Sequence, residues 1–440
     1  MQPTKIDLLI NSRWIIPVVP EGAVFENCAV AIDRQRIVGI YPQAEARNKF
    51  AADSVVDLAD HILMPGLVNA HGHAAMSLLR GYADDLPLKP WLEEHIWPVE
   101  SRVLSEQFVA DGTDLAIAEM IATGTTCFAD MYFFADRIAE RVHRSGIRSQ
   151  VGFTVFDFPT AGGKDPDDYI HKGLQLRDSY KGNDLIKIAC APHAPYTVGD
   201  ETMRRIATYA NELDMAVHIH CHETAQEVSD SLEIYGCRPL QRLDDLGVLL
   251  PQTQLVHMTQ IVEDDIRLIQ DHNCHVVHCP ESNLKLASGF CPVGQLIDAG
   301  INVALGTDGA ASNNDLDLFG ELKTAALLAK AVANNAATLD AHAALRMATI
   351  NGARALGWQD EIGSLEAGKS ADMIAVEISS PSQKPLYNPA SQLVYGNAGS
   401  QVTHSWVAGK ALLKERALVT LNEQNLIRRA DQWRNQISPE

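Results

Sequence analysis

Two histidines separated by a single residue open the chemically distinctive part of this sequence. His71 and His73 follow the apolar run 62–64 and end the segment 65–73, PGLVNAHGH. In an extended strand, residues two apart face the same side, so the two imidazoles can bind one metal ion. Gly72 lies between them and allows a close backbone approach. A bare pair of this kind also occurs among surface and core histidines, so the interpretation depends on residues further along the chain.

Further imidazoles and carboxylates stand at the ends of later apolar runs. They are His193 after the fourth run, His218, His220 and Glu223 at the fifth, His257 at the sixth and Asp308 at the eighth. Any one of them alone could be a hydrogen-bonded structural residue. Together they provide neutral imidazoles and a carboxylate, the ligands that a catalytic zinc or iron site uses.

The elements that would position these residues are eight apolar, strand-like runs. They fall at 62–70, 125–130, 149–155, 185–192, 216–221, 253–258, 275–279 and 302–307. Segments of helical period separate most of them, including 111–123 and 201–214. This alternation predicts an α/β fold, a (β/α)8 TIM-type barrel whose strand ends converge at one mouth. A doubly wound open sheet is the alternative, but no G-x-G-x-x-G motif opens the first unit.

Both ends of the chain differ from the middle in having short strand-like segments that do not alternate regularly with helical ones. Short strands are predicted at 6–10, 14–18, 29–32 and 37–40, with 11–12 as a breaker, and a hairpin at 402–407 and 411–413. A helix is predicted over 339–356, and another from Leu421 with Thr420 and Glu423 as a capping box. We therefore expect residues 1–61 and 359–440 to form one small β-sandwich domain with a closing helix, and residues 62–358 to form the metal-dependent barrel.

Composition narrows the classes of partner. The 440 residues carry 36 Lys and Arg against 56 Asp and Glu, a formal net charge of −20. Such a surface repels phosphate backbones and anionic lipid, which disfavours nucleic acid and membrane as partners. The eight cysteines are scattered, without a C-x-x-C pair. The N-terminus lacks the apolar core of a signal peptide and no apolar run approaches a membrane span, so we expect a cytoplasmic protein.

The motifs together resemble the amidohydrolase superfamily. The segment 65–73, the pair His220-x-x-Glu223, His257 and the sequence GTD at 306–308 carry the resemblance. The chain looks most like the branch of 5′-methylthioadenosine/S-adenosylhomocysteine deaminases and triazine hydrolases (ATZ/TRZ type). The segments 91–100, 220–225, 312–317 and 391–395 look like the deaminases in particular. The resemblance covers nearly the whole chain.

The resemblance implies one divalent metal ion, zinc with iron(II) as the alternative, bound by His71, His73, His220 and Asp308. His220 is the run-five ligand because it stands three residues before Glu223, whereas His218 lies one pleat deeper in the same strand. In other branches a carboxylated lysine at the end of strand four bridges two metals. Here 191–193 reads Ala-Pro-His and Lys187 lies well inside the run, which favours a single metal.

The implied reaction is hydrolytic deamination of an adenosine-type nucleoside, namely 5′-methylthioadenosine, S-adenosylhomocysteine or adenosine. The metal makes hydroxide available near neutral pH. Asp308 is the general base, His257 bonds the same water, and Glu223 protonates a ring nitrogen of the purine. By resemblance, Glu100 on the loop 80–100 contacts the ribose hydroxyls, and His193 lies close to the purine or ribose. Asp308 and Glu223 are then also substrate contacts.

One departure and several alternatives accompany this prediction. Some relatives hold the homocysteine carboxylate with arginines near strands three and four, but Arg148 and Arg177 do not match that context, which favours methylthioadenosine or adenosine. The same site could serve a guanine, 8-oxoguanine or cytosine deaminase, or a chlorotriazine hydrolase. The alternative from another class is a metal-binding scaffold without turnover. We expect a small-molecule nucleoside as the partner, and a homo-oligomer.

Overall fold

The computed structural model describes residues 3–438 and contains two sheets of eight strands each. The strands are β1 Thr4–Ile15, β2 Phe25–Asp33, β3 Arg36–Pro42, β4 Phe50–Pro65, β5 Leu67–Asn69, β6 Thr125–Tyr132, β7 Arg148–Val155, β8 Ile186–Pro192, β9 Val217–Cys221, β10 Thr253–His257, β11 His275–His278, β12 Asn302–Leu305, β13 Met373–Glu377, β14 Val402–Val407, β15 Lys410–Lys414 and β16 Ala417–Leu418.

Helices connect most of the strands. They are α1 Gln43–Lys49, α2 Leu88–Pro90, α3 Trp97–Val103, α4 Glu106–Ala122, α5 Ala135–Ser145, α6 Pro166–Ser179, α7 Asp200–Leu213, α8 Ala225–Tyr235, α9 Pro239–Asp245, α10 Glu263–Asp271, α11 Pro280–Lys285, α12 Val293–Asp298, α13 Ala310–Asn313, α14 Leu318–Val332, α15 Ala341–Met347, α16 Ile350–Ala355, α17 Pro389–Tyr395 and α18 Glu423–Ile437. Short 3₁₀ turns cover 74–79, 381–383 and 399–401, and one π-helical segment covers 91–96.

The second sheet is the barrel. Strands β5 to β12 lie side by side in chain order, and each ladder between neighbours is parallel. The first and last strands meet through the amide of Ala70, which donates to the carbonyl of Leu305 at 2.8 Å. Each of the eight apolar runs overlaps one of these strands, and the predicted (β/α)8 barrel is confirmed.

The first run, 62–70, divides between the two sheets. Its first part belongs to β4, which pairs antiparallel with β13 as far as Pro65, and only β5 enters the barrel. The chain changes sheets at Gly66, where a Cβ would lie 1.9 Å from Oγ1 of Thr126, so only glycine fits. The single barrel strand expected over this run was therefore too long. The domain boundary at residue 62 stays a prediction.

The other sheet combines both ends of the chain. Its order is β16-β15-β14-β13-β4-β1-β2-β3, and the pairing of β4 with β13 joins the N-terminal strands to the C-terminal ones. Buried side chains such as Ile10, Leu63 and Trp406 form a core between its strands and the 365–375 segment. A small β-rich unit built from both termini is thus confirmed.

Three local predictions were wrong. Residues 11–12 do not break the first strand, because β1 continues to Ile15 with an irregularity between Ser12 and Trp14. The helix expected over 339–356 is two helices, α15 and α16, separated at Thr349, whose backbone is not helical. Asn422, not Thr420, caps α18, accepting from the amide of Asn425, while Thr420 donates to the carbonyl of Ser145.

The closing helix α18 packs against α4 and reaches the segment that precedes it. Arg429 pairs with Asp111 and Asp114, and the indole of Trp433 donates to Asp111 at 2.9 Å. Arg102 donates to the carbonyl of Ile437 at 2.6 Å, which fixes α3 at the barrel mouth. Among residues 3–438, no helix has the length and apolarity to cross a membrane.

Candidate active site

Four predicted ligands meet at the mouth of the barrel. His71 and His73 follow β5, His220 lies near the end of β9, and Asp308 follows β12. The Nε2 atoms of His71 and His220 are 3.2 Å apart. Oδ1 of Asp308 lies 3.3 Å from Nε2 of His71 and 3.1 Å from Nε2 of His73. Parts of the chain more than 200 residues apart thus converge within the reach of one ion.

The hydrogen bonds behind two of these histidines determine where their protons are. Nδ1 of His73 lies 2.5 Å from the carbonyl oxygen of Met131, and Nδ1 of His220 lies 2.8 Å from that of His193. A carbonyl only accepts, so each Nδ1 carries the proton. In the neutral ring each Nε2 then keeps its lone pair, directed toward Asp308 and His71. This is the arrangement that a metal-binding imidazole requires.

Asp308 is held in its ionised form. Burial raises the pKa of a carboxyl group, but the imidazoles of His71 and His73 next to Oδ1 outweigh it and hold the pKa of Asp308 well below its usual value. Its second oxygen accepts hydrogen bonds from the hydroxyls of Ser282 at 2.6 Å and Ser312 at 2.8 Å. The carboxylate is therefore fixed on both sides and has one defined orientation.

Backbone geometry at the strand ends aims these side chains. Asp308 has φ +60°, and His257, the last residue of β10, has φ +74°, a left-handed conformation that non-glycine residues adopt at a cost of about 1–3 kcal/mol. At Gly306 a Cβ would lie 2.8 Å from Cβ of His71, so glycine is needed for β12 to approach the first ligand so closely. Such strain is typical of functional sites.

Glu223 and His257 stand beside the ligand cluster. Oε2 of Glu223 lies 3.7 Å from Nε2 of His257, and Nδ1 of His257 donates to the Oδ1 of Asn283 at 2.9 Å. Burial raises the pKa of Glu223. A carboxyl group with a raised pKa can hold a proton near neutral pH and release it to a substrate.

Glu100 and His193 line the same cavity as three of the predicted metal ligands. Glu100, on α3, is buried and accepts a hydrogen bond from the hydroxyl of Tyr132. Burial raises its pKa to about 7. The ring of His193 stacks on that of Phe156, with centroids 4.9 Å apart, and burial lowers its pKa to about 3. His193 is thus a neutral ring close to the ligand cluster.

These residues share one cavity at the mouth of the barrel, whose empty space, with its opening to solvent, is about 670 Å³. It is lined by His73, Met76, Leu88, Trp91, Leu92, Ile96, Trp97, Glu100, Met131, Tyr132, Phe133, Thr154, Phe156, His193, Tyr196, His220, Glu223, His257, Leu286, Asp308 and Ser312. Neither lysine nor arginine occurs among these lining residues. Trp91 packs within the loop, its indole donating to the carbonyl of Ala83.

Other sequence candidates lie outside this cavity. Arg148 begins β7, at the opposite end of the barrel, and pairs with buried Asp372 at 3.0 Å. Arg177, near the end of α6, donates to the carbonyl of Leu213. Lys187 donates to the carbonyl of Gly357, and its ammonium lies over the ring of Trp358. His222 accepts from the amide of Leu240 and does not reach the ligands.

Several contacts were not predicted. Tyr132 bonds Glu100, Asn283 bonds His257, Phe156 stacks on His193, and Ser282 bonds Asp308. Tyr132 ends β6, Phe156 follows β7, and Ser282 and Asn283 lie on α11, so nothing in their sequence spacing links them to their partners. Ser312 also bonds Asp308, and sequence reasoning could have found it, because it begins the segment 312–317 that resembles the deaminases.

The donor set fits a divalent metal. Nitrogen and oxygen atoms of His71, His73 and Asp308 lie within 4.8 Å of one another, as do those of His71, His220 and His257. Neutral imidazoles with one carboxylate are the ligands of catalytic zinc sites. Asp308 is buried too, so a bound cation would also offset its negative charge.

Comparison with known proteins gives consistent results. The sequence profile of the Amidohydrolase family matches residues 62–412. A protein named 5-methylthioadenosine/S-adenosylhomocysteine deaminase from Saccharophagus degradans is 54% identical over 434 residues, which cover 99% of this chain and 97% of the relative. A protein of the same name from Teredinibacter turnerae is 53% identical and covers 99% and 98%. The crystal structure of an adenosine deaminase from Xanthomonas campestris with bound zinc is 52% identical, has a TM-score of 0.98 and covers 99% of both chains.

Proposed function

The chain belongs to the amidohydrolase family, and from that premise we propose that it deaminates adenosine-type nucleosides with the help of one divalent metal ion. The observation that carries the proposal is the buried meeting of His71, His73, His220 and Asp308 beside Glu223. Zinc is the metal we favour, because the ligands are imidazoles and one carboxylate, with iron(II) as the alternative. The names of the full-length relatives support the nucleoside substrate.

His71, His73 and His220 would hold the metal through Nε2, and Asp308 through Oδ1. When bound, such an ion lowers the pKa of water toward neutrality and so supplies a nucleophile. Asp308 accepts the proton of the attacking water, because its carboxylate is ionised and fixed in orientation. Nε2 of His257, whose Nδ1 is bound to Asn283, accepts a hydrogen bond from the same water.

Glu223 acts on the substrate rather than on the water. It delivers a proton to the ring nitrogen next to the amino-bearing carbon, which makes that carbon electrophilic. The water oxygen bonds to this carbon, and the carbon–nitrogen bond then breaks. The amino group takes up the proton that Asp308 received and leaves as ammonia. The hydroxyl proton of the adduct returns to Glu223 as the carbon–oxygen double bond forms, and the product is the inosine analogue.

Glu100 and His193 bind the nucleoside around this centre. One carboxylate can accept hydrogen bonds from both vicinal hydroxyls of a ribose. Tyr132 already occupies one lone pair of Glu100 and orients the group for this role. His193 and Phe156 offer an aromatic surface against which the purine or ribose can pack.

The lining of the cavity supports an uncharged 5′ substituent. Leu88, Trp91, Phe133 and Phe156 form an apolar wall without a cation. A homocysteine carboxylate would lose its hydration there without an ionic partner, which costs binding energy. Arg148 is buried at the far end of the barrel in its pair with Asp372. We therefore favour 5′-methylthioadenosine and adenosine over S-adenosylhomocysteine as substrates.

The test is ammonia release from zinc-loaded protein over a panel of aminated rings. We expect 5′-methylthioadenosine and adenosine to react, S-adenosylhomocysteine to react more slowly, and guanine, 8-oxoguanine, cytosine and triazines to be poor substrates. Preference for a free base or a chlorotriazine would contradict the nucleoside proposal. Metal binding without turnover of any ring would favour the scaffold alternative. We also propose a homo-oligomer, to be tested by light scattering.

A further inference from the structure

A line of buried polar side chains runs behind the first metal ligand. Nδ1 of His71 lies 2.7 Å from Nε2 of His218, and Nδ1 of His218 lies 2.5 Å from Oε1 of Gln254. The side-chain amide of Gln254 in turn donates to the carbonyl of Ala355 at 2.8 Å. His71 and Gln254 have no exposed surface, and His218 is 2% exposed. The line thus lies inside the barrel, below the cavity.

The partners fix the direction of every hydrogen bond in this line. The carbonyl of Ala355 only accepts, so the amide nitrogen of Gln254 faces it and Oε1 faces His218. Oε1 only accepts, so Nδ1 of His218 carries a proton. With its proton on Nδ1, the neutral imidazole of His218 presents Nε2 as an acceptor. Nδ1 of His71 therefore carries a proton, and Nε2 of His71 keeps its lone pair.

We propose that His218 and Gln254 are positioning residues that hold His71 in the tautomer able to bind metal. The other two histidines of the cluster do not need such help. Nδ1 of His73 and Nδ1 of His220 donate to backbone carbonyls, which can only accept a hydrogen bond. His71 alone of the three has a side chain behind it, and an imidazole can either donate or accept. Gln254 removes that ambiguity.

Loss of the acceptor behind His71 has a definite consequence. Without the acceptor, His71 can carry its proton on Nε2, and the lone pair directed at His220 and Asp308 is then no longer available to a metal. Groups that orient a metal-binding histidine typically contribute roughly 10–100-fold to metal affinity. We expect a loss of that size when the line is broken, although neither His218 nor Gln254 is itself a ligand.

This inference rests on the proposed metal site, and its test measures metal binding without substrate. Metal-free wild type and variants are titrated with zinc in competition with a chromophoric chelator. His218→Leu and Gln254→Leu remove the acceptor and should weaken zinc binding by about 10–100-fold. His218→Gln can accept from His71 and donate to Gln254 at once, so it should bind zinc nearly as wild type does.

The control is His278→Leu. His278, on β11, is also buried, and neither of its ring nitrogens has a hydrogen-bond partner within the part of the chain that the structure describes. This variant removes an equally buried barrel imidazole and should leave the zinc affinity unchanged. The visible spectrum of the cobalt-loaded proteins is a second readout. It should change in His218→Leu and remain as in wild type in His218→Gln, because ligand geometry determines it.

The outcomes separate positioning from packing. Weak zinc binding in His218→Leu together with recovery in His218→Gln supports the inference. Wild-type affinity in His218→Leu overturns it, and so does an equal loss in His218→Gln, because the shape of the ring rather than the acceptor would then matter. If His218→Leu does not fold, Gln254→Leu decides the question, and wild-type affinity there overturns the inference. Substrate turnover enters none of these measurements, so a different reaction at this site would leave them unchanged.

Discussion

Replacement of Glu100 by glutamine tests both the ribose contact and the protonation state of the site. The side chain keeps its size and can still accept the hydrogen bond of Tyr132. It loses its charge and can no longer accept strongly from two hydroxyls. The chemistry at the purine ring, on the other side of the cavity, does not depend on it. The change should therefore affect nucleoside substrates through their ribose.

The structure gives the size of the effect. Tyr132 occupies one lone pair of Glu100, and the remaining ones are available to the two ribose hydroxyls. A hydrogen bond to a charged group contributes about 1.5–3 kcal/mol, and a neutral one about 1 kcal/mol. Exchange of a carboxylate for an amide should thus cost about 2 kcal/mol, or roughly 30-fold in kcat/KM. Glu100→Ala removes both bonds and should cost more.

The pH dependence follows from burial. Because burial raises the pKa of Glu100 to about 7, the carboxyl group is protonated in acid and ionised above neutrality. A protonated Glu100 resembles glutamine. The ratio of kcat/KM between wild type and Glu100→Gln should therefore be near one at about pH 5.5 and rise to about 30 at about pH 8.5, with its midpoint near the pKa of the free enzyme. Protonation of the metal ligands affects both proteins and cancels in the ratio.

The assay follows the ultraviolet spectrum of the nucleoside, with 5′-methylthioadenosine and 2′,3′-dideoxyadenosine compared across pH. The dideoxy substrate lacks both hydroxyls, so the substitution should hardly affect it. Glu94→Gln is the matched control, because it makes the same charge change at an exposed position of the preceding π-helical segment. A ratio independent of pH, or an equal loss on both substrates, would refute the ribose contact.

Three further outcomes concern the centre itself. Glu223→Gln should lower kcat by about 10²–10⁴-fold with little change in KM, because a proton donor is lost and not a binding group; an equal loss of substrate affinity would instead indicate binding. Asp308→Asn, assayed after zinc loading, should abolish turnover while circular dichroism shows an intact fold, and retained activity would contradict its role as base. Removal of metal with dipicolinate should abolish deamination and added zinc should restore it; a fully active metal-free protein would exclude the metal-dependent reaction.

The sequence predicted the strands of the barrel better than the junction between its two sheets. Apolar runs of five to nine residues are a strong signal for buried parallel strands, and each run indeed overlaps one. The run 62–70 is continuous in hydrophobicity, so only the contact of Gly66 with Thr126 reveals where the chain changes sheets. That contact joins residues 60 positions apart, which periodicity cannot report. The split at Thr349 has the same origin in packing.

In the site, too, features set by the ends of the apolar runs could be predicted, whereas individual side-chain contacts between distant residues could not. The meeting of His71, His73, His220 and Asp308 could be predicted because each stands where an apolar run ends, and strand ends converge at one mouth of a barrel; their role as metal ligands stays a prediction. The groups that orient them could not. Gln254 lies in the middle of an ordinary strand, and its role depends on which carbonyl its amide meets. Such partners are defined by distances across strands rather than by spacing along the chain.

The two carboxyl groups closest to the reaction differ in their surroundings, and this difference supports their separate roles. Asp308 lies beside the imidazoles of His71 and His73 and accepts hydrogen bonds from two serine hydroxyls and the amide of Gly309, so its charge is stabilised and its pKa is low. Glu223 is equally enclosed, but the nearest imidazole nitrogen, Nε2 of His257, lies 3.7 Å away, and burial raises the pKa of Glu223. One group is therefore suited to accept a proton and the other to donate one. A hydrolysis that adds water to a ring and expels ammonia needs both, and exchange of the two environments would leave the ring without its acid.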